Sequence, residues 1–268
     1  MFFEVPTDST CTLSFYFYKL SRRFLASVDT VLFDWDGVLW QEDEAVPGVP
    51  DLINGLKGAG KRVFFLTNNS MKTCSMYAEK LAWLGFKAEP GEVFGTAYCT
   101  AIYLRDIVQF QGKVYLIGCR ALSEEFGVGG IPPLGCGAGL VTSTFKDWAS
   151  VEADPEVKAV VVGFDEYFSY MKLNRVLQYL QDPSCLFTAT NTDTRLPLEG
   201  GKAIPGTGCL VQAVETAAHH KAQVIGKPRS FLCDCVAKDQ SILAQEARGL
   251  IGACVLFHKA IPSRLLIL

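Results

Sequence analysis

The stretch Val31-Leu-Phe-Asp-Trp-Asp-Gly-Val-Leu-Trp40 is a short apolar run ending in two aspartates one residue apart, with glycine directly after them. Val31-Leu32-Phe33 is too short for a helix of its own and has polar residues on both sides, so it reads as a strand buried on both faces. Side chains alternate along a strand, which puts Asp34 and Asp36 on the same side near its carboxyl end. That edge is where open α/β sheets place their ligands. Two carboxylates there repel each other unless a cation or a shared proton lies between them. Taken alone, Asp-x-Asp-Gly is more often ordinary turn chemistry, so the rest of the chain has to decide.

The bulk composition narrows the classes. A chain of 268 residues with 49% hydrophobic and 20% charged residues fits a globular protein with a substantial core. A net charge of −3 and the lack of any long basic run argue against a nucleic-acid partner. The ten cysteines are scattered without a Cys-x-x-Cys pair, and the three histidines stand at 219, 220 and 258. Neither a zinc site nor a disulfide framework follows from that pattern. Buried thiols in a reducing compartment fit better, which places the expected location in the cytoplasm. The first eighteen residues are aromatic but interrupted by Glu4 and Asp8, so no signal peptide is expected. No window is long and apolar enough for a membrane span.

Downstream, strands and helices alternate. Gly48–Gly60 reads as a helix, Val63–Leu66 as a buried strand ending in Thr67-Asn68-Asn69-Ser70, and Met71–Leu84 as an amphipathic helix. A short strand at Val93-Phe94 leads into a helix toward Asp106. A second alternation follows: strands at Lys113–Cys119, Ala159–Phe164, Cys185–Thr190 and Ala222–Ile225, with helices at Arg120–Phe126, Ser169–Gln181 and Gly206–Ala218. Gly127–Gly139 and Asn191–Gly201 read as loops. The pattern predicts a doubly wound, parallel-sheet (Rossmann-like) α/β core, residues 1–107 and 205–268, interrupted by an inserted α/β domain, residues 108–204. Past Gln240 it weakens: Ala244–Gly249 extends a helix, Ile251–Phe257 makes a strand, and an apolar Leu265–Leu268 follows.

Three strand ends carry complementary polar groups: Asp34 and Asp36 on the first, Thr67, Asn68 and Asn69 on the second, Lys227 on the late one. If the three strands are neighbours in one parallel sheet, these groups converge at its carboxyl edge. A carboxylate nucleophile, a second carboxylate, hydroxyl and backbone donors and an ammonium suit a phosphoryl group. Singly, Thr67 is as well explained as a helix cap and Lys227 as a solvated lysine.

Here the chain resembles a known family. VLFDWDGVLW is similar to the first motif of the haloacid-dehalogenase-superfamily phosphatases, FFLTNNS to the second and VIGKP to the third. AVPGVPDLINGLKGAGKRVFFLTNNS, EVFGTAYCTAIYLRD, VVVGFDEYFSYMKL and PGTGCLVQAVETAA resemble the subgroup of phosphoglycolate (glycerol-3-phosphate) and pyridoxal-phosphate phosphatases, from about residue 20 to about residue 240. The resemblance implies a hydrolase that forms an aspartyl-phosphate on Asp34, with Asp36 as general acid and base. Thr67, Asn68, Asn69 and Lys227 would bind the substrate phosphate. Magnesium would be held by Asp34 and the main-chain carbonyl of Asp36, and the inserted domain would be a cap, with a homodimer formed through it. TNTDTRLPLEGG looks more like the phosphoglycolate branch, whose substrates are small phosphometabolites such as 2-phosphoglycolate and glycerol 3-phosphate. Pyridoxal 5'-phosphate is the alternative substrate, and Arg195 is a candidate partner for a substrate carboxylate.

The chain departs from the family after Lys227. The fourth motif, a strand ending in Gly-Asp that supplies a further acidic magnesium ligand, is not found. Asp234 and Asp239 fall in a helical segment, and IGACVLF ends without a carboxylate. The C-terminal part of the core is therefore expected to be incomplete. That leaves two readings: a magnesium-dependent phosphatase, and a catalytically impaired relative that binds phosphorylated ligands or a partner.

Overall fold

Unbroken runs of valine, leucine and phenylalanine favour strands with both faces covered. The computed structural model has such strands at β1 (Thr30–Asp34) and β4 (Arg62–Thr67), paired in parallel with Asp34 opposite Leu66. It describes residues 29–35, 39–41, 43–139, 144–150, 152–198, 201–239 and 265–267. Alternation along β1 and β4 separates two clusters. Val31, Phe33, Val63 and Phe65 face one layer with Trp35, Ile53, Tyr77 and Leu81. Leu32, Phe64 and Leu66 face the other with Phe94, Ile225 and Leu232. Between β1 and β4 lie a short hairpin, β2 (Trp40–Gln41) and β3 (Glu44–Ala45), and helix α1 (Val49–Gly58). α2 (Cys74–Trp83) follows β4, and β5 (Val93–Gly95) then adds to its far side.

The second sheet begins with β6 (Lys113–Ile117), followed by α4 (Arg120–Val128), once helix α3 (Thr96–Ile102) has carried the chain across. It takes in β7 (Pro133–Leu134), β8 (Val157–Val162) and β9 (Leu186–Ala189), all parallel. A short helix, α5 (Phe145–Ala149), precedes β8, and α6 (Tyr170–Leu180) follows it. α3 is buried on both sides, Cys99 and Ile102 against the first sheet and Ala97 and Ala101 against the second, with only Tyr98 partly exposed. A helix without a polar face belongs between two layers, and its small residues Thr-Ala-x-Cys-Thr-Ala let both approach.

Several expectations meet a different arrangement. The loop over Asn191–Gly201 contains β10 (Arg195–Pro197), which forms an antiparallel hairpin with β11 (Ala203–Pro205), and the 127–139 loop contributes β7 to a sheet edge. Helix α7 (Thr207–Ala218) packs Val211 and Val214 onto β6, β8 and β9. β12 (Gln223–Val224) then pairs with β9, giving the order β12-β9-β8-β6-β7. The return to the first unit, expected near residue 204, therefore comes after β12, with α8 (Phe231–Asp239) packing against the first sheet. Beside β1, where the sequence reading has no strand, β13 (Leu265–Ile267) runs parallel, Thr30 opposite Leu265. The helix expected at 244–249 and the strand expected at 251–257 lie outside the described residues.

Two contacts of the second unit carry testable electrostatics. Asp165, just past β8, and Lys172 on α6 form an ion pair of 2.5 Å, their side chains 0% and 3% exposed. A buried pair adds little net stability, because desolvation offsets the attraction, but removing one partner strands the other. Lys172→Met is expected to lower the unfolding free energy by about 3–5 kcal/mol. Urea denaturation checks this, and a further Asp165→Leu change should recover most of the loss.

Glu125 on α4 reaches the first unit, its Oε1 accepting from the Cys74 backbone N–H at 2.7 Å. Burial pushes its carboxyl pKa up despite that bond. A raised folded-state value contributes stability that is present below the ordinary carboxylate range and is lost as pH rises through the raised value. Glu125→Gln keeps an acceptor and removes the charge. Its Tm should match the wild type at about pH 4 and exceed it at about pH 7.5, by on the order of 2 °C. A pH series of thermal melts in which the gap closes toward neutral pH would contradict this assignment.

Candidate active site

β1 delivers Asp34 to the carboxyl edge of the first sheet, and the Trp35 backbone N–H donates to its Oδ1 at 2.8 Å. The indole of Trp35 is fully buried and meets Tyr77 edge-on at 4.3 Å between ring centroids, with Trp40 at 5.2 Å. Its Nε1 has no hydrogen-bond partner among the described residues. This aromatic anchor on one side of the strand fixes the carboxylate on the other. Asp36 lies outside the described residues.

β4 ends one position further along the edge at Thr67, whose buried hydroxyl accepts from the Asn69 backbone N–H at 3.0 Å. Asn69 Oδ1 accepts from the Met71 N–H at 2.9 Å, so this side chain closes the turn into α2. Thr67 thus shapes the strand-to-helix turn and keeps its own hydroxyl proton to donate.

Lys227 arrives from the other sheet. The N–H groups of Ile225 and Gly226 donate to the carbonyls of Ala189 and Thr190 at 3.0 and 2.8 Å, continuing the β12–β9 ladder past its last paired residue. The expectation that the strand before Lys227 neighbours β1 and β4 in one sheet is therefore corrected: it sits at the edge of the second sheet. The lysine reaches across, and its Nζ forms an ion pair with Asp34 Oδ1, the two side chains 17% and 20% exposed. Asn68 ties the crossing together. Its Nδ2 donates to the Lys227 carbonyl at 3.1 Å, and its Oδ1 accepts from the Lys227 N–H at 2.7 Å.

Asp34, Thr67, Asn68, Asn69 and Lys227 thus lie about one edge, Lys227 reaching it from the second sheet. Sequence reasoning missed Asp193, whose Oδ2 accepts from Asn68 Nδ2 at 3.0 Å and Asn191 Nδ2 at 2.8 Å. It also missed Thr96, whose hydroxyl donates to the Asn68 carbonyl at 2.7 Å. The signal for Asp193 is in the chain: Thr190-Asn191-Thr192-Asp193 ends a buried strand in polar residues, as Thr67–Ser70 does. Arg195 is exposed on β10.

The donor set for magnesium can be tested on these residues. Magnesium takes near-octahedral oxygen ligation, through one or two carboxylates and several waters. Asp34 supplies one carboxylate, and its Oδ1 already serves Lys227 and the Trp35 N–H. Among the described residues no group of three His, Cys, Asp or Glu side chains is placed to hold a metal. The described residues do not by themselves make a magnesium seat.

Residues 31–131 match the family described as haloacid dehalogenase-like hydrolase. Over 230 residues the chain is 51% identical to the glycerol-3-phosphate phosphatase of Homo sapiens, covering 83% of this chain and 72% of that protein. Human chronophin is 38% identical over 226 residues, covering 82% and 73%. A glycerol phosphate phosphatase from Mycobacterium tuberculosis, solved in complex with magnesium, superposes with a TM-score of 0.66 at 26% identity, covering 81% of this chain and 60% of that one. Motifs, two-sheet architecture and identity over most of the chain agree: this chain belongs to the haloacid dehalogenase-like hydrolases.

Proposed function

We propose that the chain is a phosphomonoesterase acting on small phosphometabolites, glycerol 3-phosphate and 2-phosphoglycolate, through an aspartyl-phosphate on Asp34. The observation that carries this reading is the ammonium of Lys227 seated on the Asp34 carboxylate at the sheet edge, beside the buried Thr67 hydroxyl. An oxygen of Asp34 attacks phosphorus as the bond to the substrate oxygen breaks, and Asp36 gives its proton to the leaving alkoxide. Water then attacks the same phosphorus, the Asp34–phosphate bond breaks, and Asp36 takes the water proton. Lys227 and the Thr67 hydroxyl offset charge on the phosphoryl oxygens, and the backbone at Asn68 and Asn69 lies at the same strand end. The second sheet with its β10–β11 hairpin is the cap that selects the substrate, and a homodimer through that cap is the expected assembly. A cytoplasmic location is the reading that the scattered cysteines support, since thiols without a disulfide framework fit a reducing compartment.

Identity to named phosphatases, one of them solved with magnesium, supports a dependence on that ion. Because no strand ending in Gly-Asp follows Lys227 in the sequence, metal affinity is expected to be at least about 10–100-fold below that of a site with that carboxylate. The missing Gly-Asp motif is what supports the second reading, a chain that binds phosphorylated ligands and turns them over poorly.

The deciding experiment measures phosphate release from p-nitrophenyl phosphate, glycerol 3-phosphate, 2-phosphoglycolate and pyridoxal 5'-phosphate across a magnesium titration. Turnover of the two small substrates, rising with magnesium without early saturation, is the expected result. No release from any of the four, by protein with a cooperative melt, leaves the binding-only reading. Faster turnover of pyridoxal 5'-phosphate than of the other two overturns the substrate choice.

A further inference from the structure

Asn68 is where the phosphate-site strand, the lysine loop and the second unit meet. A carboxamide has two N–H donors and one acceptor oxygen, and here each is committed. Nδ2 donates to Lys227 O at 3.1 Å and Asp193 Oδ2 at 3.0 Å, while Oδ1 accepts from Lys227 N at 2.7 Å. The backbone of Asn68 is held separately, its carbonyl accepting from Thr96 Oγ1 at 2.7 Å. Asp193 sits in the exposed loop between β9 and β10, braced by Asn191 Nδ2 at 2.8 Å.

We infer that Asn68 is a positioning residue through which the docked Asp193 loop holds Lys227 on Asp34. The carboxamide is planar, so the orientation that serves both backbone groups of Lys227 also aims the second N–H at Asp193. A carboxylate acceptor makes that bond charge-assisted and strengthens the bonds made by the rest of the amide. When Asp193 moves away, the amide keeps only its neutral bonds, and the base of the Lys227 side chain loses part of its restraint. The β9–β10 loop that carries Asp193 and the ammonium that meets Asp34 are therefore one coupled unit. The side chain of Asn68 is spent on this joint, which leaves only its backbone for phosphate.

The test uses the full chain and amide hydrogen exchange, with turnover as a second readout. Asp193→Ala removes an exposed side chain whose carboxylate hydrogen-bonds Asn68 and Asn191 rather than residues 226–230. It should nevertheless speed exchange there by about tenfold through Asn68. Asn68→Asp turns the shared donor into an acceptor facing Asp193 and the Lys227 carbonyl, and should speed exchange in both 191–198 and 226–230. Combining Asn68→Asp with Asp193→Asn restores a donor and acceptor across the gap but takes the shared acceptor from Asn191 Nδ2, so exchange in 191–198 should slow part of the way back while 226–230 stays fast. On glycerol 3-phosphate, Asp193→Ala should lower kcat by about 10-fold or more, with a smaller change in KM. That turnover prediction rests on the phosphatase reading. If the wild type releases no phosphate, that reading fails while the exchange data still decide the coupling. Unchanged exchange at 226–230 in Asp193→Ala, or no recovery in the paired variant, overturns it.

Discussion

Asp34→Asn is expected to reduce phosphate release by about three to six orders of magnitude, the range seen when a covalent nucleophile is removed. The substitution is nearly isosteric, and its amide oxygen can still accept from the Trp35 N–H that holds Asp34 Oδ1 at 2.8 Å. Trp35 stays packed on Tyr77 and Trp40, so the strand end keeps its shape. What changes is chemistry. An amide oxygen is a poor nucleophile, and Lys227 loses its anionic partner. Because that pair is partly exposed, its loss should cost little stability, on the order of 1 kcal/mol or less. Two measurements separate the possibilities: steady-state release, and acid-quenched trapping of phosphate on the protein. Loss of both with a near-wild-type melt is the expected pattern. A variant that keeps a tenth of wild-type turnover removes Asp34 from the nucleophile's role.

The chain made the first sheet legible because its strands are pure. Val31–Phe33 and Val63–Leu66 have no competing helical period, and their alternation assigns each residue to a layer that the clusters of the structure reproduce. The site was legible for a related reason: Asp34, Thr67 and Lys227 each stand where an apolar run stops. Sheet membership was not. Gln223-Val224 makes a strand as readily at the edge of one sheet as of another, and pairing with β9 depends on α7 packing Val211 and Val214 under it. No local signal encodes that long-range choice. Asp193 was missed because a single carboxylate in a polar loop has many solvated explanations, and only Asn68, 125 positions away, gives it a role. β13 is three residues long, and its apolar character fits a terminus as well as a strand.

The crossing at Gly226 yields the second large effect, Gly226→Ala. A methyl group there would lie 2.6 Å from the Thr190 carbonyl oxygen, 2.7 Å from Asn68 Oδ1 and 3.0 Å from Thr96 Cγ2. The first is backbone just past β9 and the second is the acceptor for the Lys227 N–H, so neither can retreat without loosening the site. Relief has to come from moving residue 226 away from β9 or from turning the Asn68 amide, and both routes displace Lys227. Overpacking of this kind costs about 1–3 kcal/mol, and displacement of a positioned charge by about 1 Å can cost on the order of 10²-fold in turnover. A combined loss of that size is expected in urea melts and in kcat. Gly55→Ala is the matched control: this glycine lies within α1, and an added Cβ there meets nothing within 4 Å. Glycine inside a helix is less stable than alanine by about 0.5–1 kcal/mol, so the control should gain stability without touching turnover. If both alanine variants behave alike, close packing at residue 226 is not what holds the lysine on the nucleophile.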